Sequence, residues 1–245
     1  MKMEDCRAIV DAAKKSDKKF MVGQVCRFTA NFILAKQMID EGRLGRILSF
    51  DFKYLHNSCI DPERTAGWKQ DKEICGAGTL FDLGSHIVDL CRYLCGDFSE
   101  IYAKEQIAFV EHKKADGSVW QTNADEAVYM TATLKCGAMG TLTAGKINVG
   151  ENDGLTFAIY GTDGTLKFDL MELDWLYYYD ANAPKDEMGG VSGFTKEEME
   201  ALRQAVQLLH AIVELVVARH HHVVVRAVHD VHNVLPLRDT AHQAS

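Results

Sequence analysis

The sequence has 245 residues, 47% hydrophobic and 25% charged, the composition of a globular chain long enough to bury a sizeable core. Its formal net charge is −8 and no basic stripe stands out, which argues against nucleic acid or an anionic membrane as partner. No apolar run reaches the roughly 18 residues of a membrane span, Met1–Cys6 is polar and acidic where a signal or transit peptide would not be, and seven scattered cysteines suggest free thiols in a reducing, cytoplasmic compartment.

Residues 4–16 read as a helix, with Cys6, Ile9, Val10 and Ala13 at helical spacing and lysines toward its C-terminal end. The apolar run from Lys19 to Val25 reads as a short strand. A second helix is expected over 31–41, stopped at Glu41-Gly42. Ile47 to Tyr54 reads as a strand, Leu48, Phe50 and Phe52 alternating against Ser49, Asp51 and Lys53. Residues 55–78 form a long loop with Pro62, Trp68, Gly76 and Gly78, of a length that tends to be functional.

A third helix is expected over 80–95, closed at Gly96. The pattern then changes to strands: Ile101–Phe109, Ala127–Leu134, Gly140–Lys146, Leu155–Gly161, Leu166–Asp169 and Trp175–Tyr179. Turns are expected at Asp116-Gly117, Cys136-Gly137, Asp153-Gly154 and Asp163-Gly164. Thr195, with Glu197 and Glu198 in a first turn, reads as the start of a last helix. This order implies an α+β fold: an open, mainly antiparallel sheet with helices on one face. From about 211 the chain is atypical, with His220, His221, His222, His229 and His232 among valines. No defined ligand spacing emerges there, and no metal site is assigned. Cys91 and Cys95, four apart on a helix, read as small buried side chains.

The helix over 80–95 separates its faces. Leu83, Ile87, Leu90 and Leu94 form an apolar stripe, and Asp82, His86, Asp89 and Tyr93 lie on a strip about 100° round from it. Asp82 and His86 thus project together just after Gly76 and Gly78, where backbone approaches closely. A carboxylate beside an imidazole suits proton transfer near neutral pH. Spacing alone also allows a capping box, Thr79 as N-cap and Asp82 three residues on, with His86 as a histidine beside the core.

The stretch Gly78-Thr79-Leu80-Phe81-Asp82-Leu83-Gly84-Ser85-His86-Ile87-Val88-Asp89-Leu90 resembles the signature of the glucose–fructose oxidoreductase / inositol dehydrogenase (Gfo/Idh/MocA) family. Four other blocks resemble the family in the same order: Val22–Phe28, Gly42–Ile47, Gly67-Trp68-Lys69 and Ile159–Leu166. The likeness covers roughly residues 4–205. It implies an N-terminal Rossmann domain that binds NAD or NADP, followed by an α+β domain that binds a sugar, polyol or related hydroxy compound and forms homo-oligomers through its sheet. It also implies His86 as acid/base with Asp82 as its partner. His56, Arg27, Trp68 and Lys69 become substrate-pocket candidates, and Gln24 and Arg27 cofactor contacts. The bland alternatives are a surface ion pair for Arg27, a loop position for His56, core for Trp68 and solvent for Lys69.

A dinucleotide fold needs a glycine-rich strand–turn–helix, and this sequence has no G-x-G-x-x-G and no Glu-Lys-Pro of the family type. The expected organisation is therefore a Rossmann remnant over 1–27 (one helix, one strand), a substrate and oligomerisation domain over 28–210, and the atypical tail over 211–245. Three functions follow: the substrate portion of a sugar or polyol dehydrogenase, a family member using bound nicotinamide within a lyase or glycoside-cleaving cycle, or a non-catalytic sugar-binding or oligomerisation module.

Overall fold

The computed structural model of the chain describes residues 3–61, 65, 67–184 and 193–198. Helix α1 (Met3–Lys15) opens it, with acidic residues in its first turn and lysines in its last, complementing the helix dipole; none of its residues is buried. The segment expected as a strand follows, but it joins no sheet among the described residues. Phe20, Met21 and Val22 are 59%, 63% and 64% exposed. A strand exists only through its ladder, and among the described residues this one has no neighbour to pair with.

Helix α2 (Ala30–Asp40) ends where Gly42 takes a positive φ of 78°, as the Gly stop predicts. Strand β1 is Ile47–Leu55, α3 is the short Lys72–Cys75, and α4 is Ser85–Cys95. Strand β2 spans Phe98–Gln106, and β3 (Glu111–Lys113) and β4 (Val119–Gln121) make a small separate hairpin. Strands β5 (Ala127–Leu134), β6 (Met139–Gly145), β7 (Gly154–Gly161), β8 (Gly164–Asp169), β9 (Trp175–Asp180) and β10 (Thr195–Glu198) complete the main sheet. Its order is β10-β9-β8-β7-β1-β6-β5-β2, antiparallel throughout except for the central β1–β6 pair.

The α+β class holds, and so does the expectation of helices on one face. Ala35 and Met38 of α2 and Ile87, Leu90 and Leu94 of α4 pack on Phe50, Phe52, Leu142, Phe157 and Ile159 of the sheet. Phe32 stands edge-on to Phe168 at 4.9 Å, and Phe52 stacks on Phe157 at 5.6 Å. The opposite face carries Asp51, Lys53, Tyr129, Thr131, Thr141 and Thr143 around a shallow depression of about 560 Å³. Alternation in β1 holds for Phe50 and Phe52 but fails at Leu48, which is 43% exposed: the pairing with β7 slips between Ile47 and Ser49, and a bulge exchanges the faces of the residues before it.

The helix expected from Thr195 is not formed at its start. Thr195–Glu198 pairs antiparallel with Trp175–Tyr178 as the edge strand β10. The acidic pair after a threonine imitates a capping signal, but the open edge of β9 offers a ladder instead. Thr195 Oγ1 donates to Tyr178 O, and the Lys196 ammonium lies 5.1 Å from the Trp175 ring centroid. The rest of that expected helix and the 211–245 tail lie outside the described residues.

Candidate active site

Strands β1 and β6 run parallel, so their carboxyl ends open at the same edge of the sheet, with Leu55 opposite Gly145. The next residues, His56 and Lys146, therefore stand side by side; His56 N–H donates to Gly145 O at 2.7 Å. The amino end of the α4 segment is laid over this edge. Its first turn, Leu80–Gly84, is wound as a π-helix before α4 begins at Ser85, a local irregularity frequent at functional sites.

Asp125 holds that turn in place. Its carboxylate accepts from Gly78 N–H and Leu80 N–H, both at 2.7 Å, and its carbonyl accepts from Thr79 N–H at 2.9 Å. The donors orphaned at a helix start are thus satisfied from outside. The capping-box reading is overturned: the Thr79 side chain makes no cap bond. Asp82, which it would have paired with, is engaged elsewhere. Gly78 is demanded by the close approach, since a Cβ there would lie 2.0 Å from Asp125 O. The neighbouring Glu126, buried with His112, accepts from Ala108 and Phe109 N–H and lies 3.1 Å from His112 Nε2.

Asp82 is gripped by two lysines. Lys69 Nζ donates to both oxygens at 2.8 and 2.9 Å, and the buried Lys146 Nζ reaches Oδ2 at 2.5 Å. Burial pushes the Asp82 carboxyl up, but the bonds from Lys146 and Lys69 outweigh it and hold it below the usual carboxylate range. The carboxylate bonds these ammonium groups and not His86, so Asp82 acts on the imidazole only through its field.

His86 lies one turn on. Burial is the largest influence on it and lowers its pKa below the ordinary histidine value, against the opposing fields of Asp82, Asp89 and Asp153. Its Nδ1 is 3.8 Å from Cys26 Sγ, and the Tyr54 ring stands edge-on to it at 5.9 Å. Tyr54 also meets the His56 ring at 5.2 Å, and His56 Nε2 lies 3.0 Å from Asp153 Oδ1. The contact with His56 is the main cause that holds the Asp153 carboxyl down; the Tyr54 hydroxyl adds to it. Burial, then Asp153, raises the Tyr54 phenol, which stays protonated.

Of the residues expected from sequence, Asp82, His86, His56 and Lys69 are brought to this edge. Arg27 is committed to Asp89, donating through Nε at 2.5 Å and through Nη2, with its guanidinium 5.1 Å from the Tyr93 ring centroid. Trp68 is 61% exposed, which removes the core alternative; Lys69 Nζ lies 5.6 Å from its ring centroid. Gln24, half-buried, precedes the Val25–Phe28 turn. Lys146, Asp153, Tyr54, Cys26 and Asp125 were missed. Lys146 and Asp153 flank strands and carry no local motif; only a turn was legible at Asp153. The described residues include no glycine-rich strand–turn–helix, so they offer no cradle for the phosphates of a dinucleotide.

A mixed sheet backed by two helices, with its polar cluster at the carboxyl ends of the parallel pair, defines an α+β domain whose polar edge is made by helix, strand ends and a long loop. The family model of the GFO/IDH/MocA C-terminal domain matches residues 32–167, and the chain belongs to that family. Levoglucosan dehydrogenase of Pseudarthrobacter phenanthrenivorans is 32% identical over 199 residues, 76% of this chain and 51% of that protein. The 2,7-anhydro-N-acetylneuraminate hydratase of Escherichia coli is 28% identical over 69% of this chain and 42% of its own length. The scyllo-inositol 2-dehydrogenase (NADP(+)) of Bacillus subtilis is 30% identical over 57% of this chain and 34% of its own. A solved levoglucosan dehydrogenase in complex with NADH superposes with a TM-score of 0.75 at 32% identity, covering 80% of this chain and 51% of that one. The chain spans about half the length of the levoglucosan dehydrogenase it matches.

Proposed function

We propose that this chain is the substrate portion of an NAD(P)-dependent oxidoreductase acting on a sugar, polyol or related hydroxy compound. The observation that carries the proposal is His86, held below the ordinary histidine pKa at an edge lined by Tyr54, His56, Lys69 and Lys146. A neutral imidazole in such a place accepts a proton from a substrate hydroxyl, while the lysines and His56 supply donors to neighbouring hydroxyls. Asp82 keeps the lysine pair in place and adds a negative field near His86; it is a positioning group more than a direct partner. Arg27 and Asp89 brace the turn beside His86. The relatives' names support the substrate class, and the NADH complex supports the cofactor class.

The nicotinamide's part, accepting the hydride, is not supplied by the described residues, which do not fit the dinucleotide's phosphates. Homo-oligomerisation through the polar open face of the sheet belongs to the same proposal. The compartment proposed is the reducing cytoplasm, supported by seven cysteines that are all free thiols. A second reading, transient oxidation within a lyase cycle, is favoured by the hydratase relative alone. It uses the same His86. The test of both is the rate of an enzyme carrying a complete dinucleotide domain ahead of this sequence. His86→Ala is expected to lower kcat/KM by about 10²-fold or more, and net NAD(P)H formation separates the first reading from the second.

A further inference from the structure

Cys26 enters the site from outside the helix that carries His86. It lies in the short turn Val25–Phe28, 60 residues away in sequence. That turn is fixed on both sides of the thiol. Thr29 donates to Cys26 O through its hydroxyl at 3.1 Å and its N–H at 3.2 Å. Arg27, the next residue, is clamped two-pronged to Asp89, three residues beyond His86 on α4. The turn is thus pinned to the face of α4 that presents the imidazole, and Cys26 Sγ comes to rest 3.8 Å from Nδ1. Burial first, and then the Asp89 charge, push the thiol up to about 11, so it is a neutral group at physiological pH.

A neutral imidazole carries one proton on one of two nitrogens, and the partner of one nitrogen decides the state of the other. The charged groups around His86 are Asp82 and Asp89 on its own helix segment and Asp153 before β7. None of them is a hydrogen-bond partner of the ring. The group in contact with Nδ1 is the thiol.

We propose that Cys26 is a positioning residue for His86: its sulfur accepts from Nδ1–H and so leaves Nε2 as the nitrogen that exchanges the substrate proton. This rests on the acid/base reading of His86 given above. The exchange needs Nδ1 to keep its hydrogen in both charge states. When a substrate O–H bond breaks and an Nε2–H bond forms, Nδ1–H still points at sulfur, and nothing at Nδ1 reorganises. A thiol is a weak acceptor, so it orients the ring without holding the imidazolium as firmly as a carboxylate would. That agrees with a ring that is neutral before it takes the substrate proton.

Nitrogen-15 spectra of the labelled chain test this, with the His86 ring signals identified by their loss in His86→Gln. At a pH where His86 is neutral, the account expects Nδ1 in the protonated and Nε2 in the unprotonated range. Cys26→Ala should shift the ring toward the Nε2–H form that an unconstrained imidazole prefers, and Cys26→Ser should restore Nδ1–H. A wild-type ring already in the Nε2–H form, or one that Cys26→Ala leaves unchanged, would overturn the proposal. The readout needs no turnover. A wild-type ring in the Nε2–H form, with a rate still dependent on His86, removes the role of Cys26 alone, whereas a wild-type ring in the Nδ1–H form, with a rate indifferent to His86, removes the acid/base reading beneath it.

Discussion

Replacing Lys146 by methionine keeps the length of the buried stem and deletes one of the two charges on Asp82. The Lys146 side chain is 11% exposed and the Asp82 side chain 31%. Removing one partner of a fully buried pair costs about 3–5 kcal/mol, and of an exposed pair about 0–1. Asp82 keeps Lys69 at 2.8 Å and keeps some water, so the loss falls between, at about 1–2 kcal/mol. For a domain of this size that is about 3–6 °C in Tm. The pH dependence fixes the cause. The folded Asp82 carboxyl lies below its ordinary value, so the pair's stability is present above the unfolded pKa and is lost as pH falls through the folded one. Thermal melts of wild type and Lys146→Met should differ at pH 7, and the gap should narrow only as pH falls below the ordinary carboxylate range, where the Asp82 carboxyl takes up its proton and the Lys146–Asp82 pairing is lost. A cycle with Asp82→Asn should show the two changes to be strongly coupled. Equal melting at pH 7, or a gap that closes while pH is still above the ordinary carboxylate range, would refute the pairing as the source.

Gly78→Ala should be among the most damaging single changes, because its methyl would lie 2.0 Å from Asp125 O and push the capped turn off the sheet edge; a Tm within a degree of wild type would contradict the close approach. Calorimetric titration of this chain with NAD and NADP should show no micromolar binding, since the described residues offer no phosphate cradle and Arg27 is committed to Asp89. A micromolar Kd would show that the dinucleotide is held in a way the fold does not suggest.

The parts of the fold legible in the sequence are those set by local periodicity. Leu83, Ile87, Leu90 and Leu94 declare the buried stripe of α4, and each is buried. Phe50 and Phe52 declare the inner face of β1. Periodicity cannot report a partner far along the chain, and the site is made of such partners: Lys146 reaches Asp82 across 64 residues, Arg27 reaches Asp89 across 62, and Asp125 caps Gly78 across 47. The Asp82–His86 spacing was visible, but what each side chain bonds depends on groups the spacing does not contain. Thr195–Glu198 failed for the same reason, its local capping signal yielding to the edge of β9. The segment from Lys19 to Val25 has strand composition, yet strand formation needs a neighbour that local composition does not specify.

The measurement that bears most directly on the whole account is the pH–rate profile of His86→Ala beside wild type, in an enzyme with a complete dinucleotide domain ahead of this sequence. His86 titrates below the ordinary histidine value, so wild-type kcat/KM should fall on the acid side only below that value, as the imidazole gains its proton. His86→Ala should run about 10²-fold or more slower at the plateau and lose that acid limb. A variant with near wild-type rate and the same acid limb would return His86 to a structural role and contradict the proposed function.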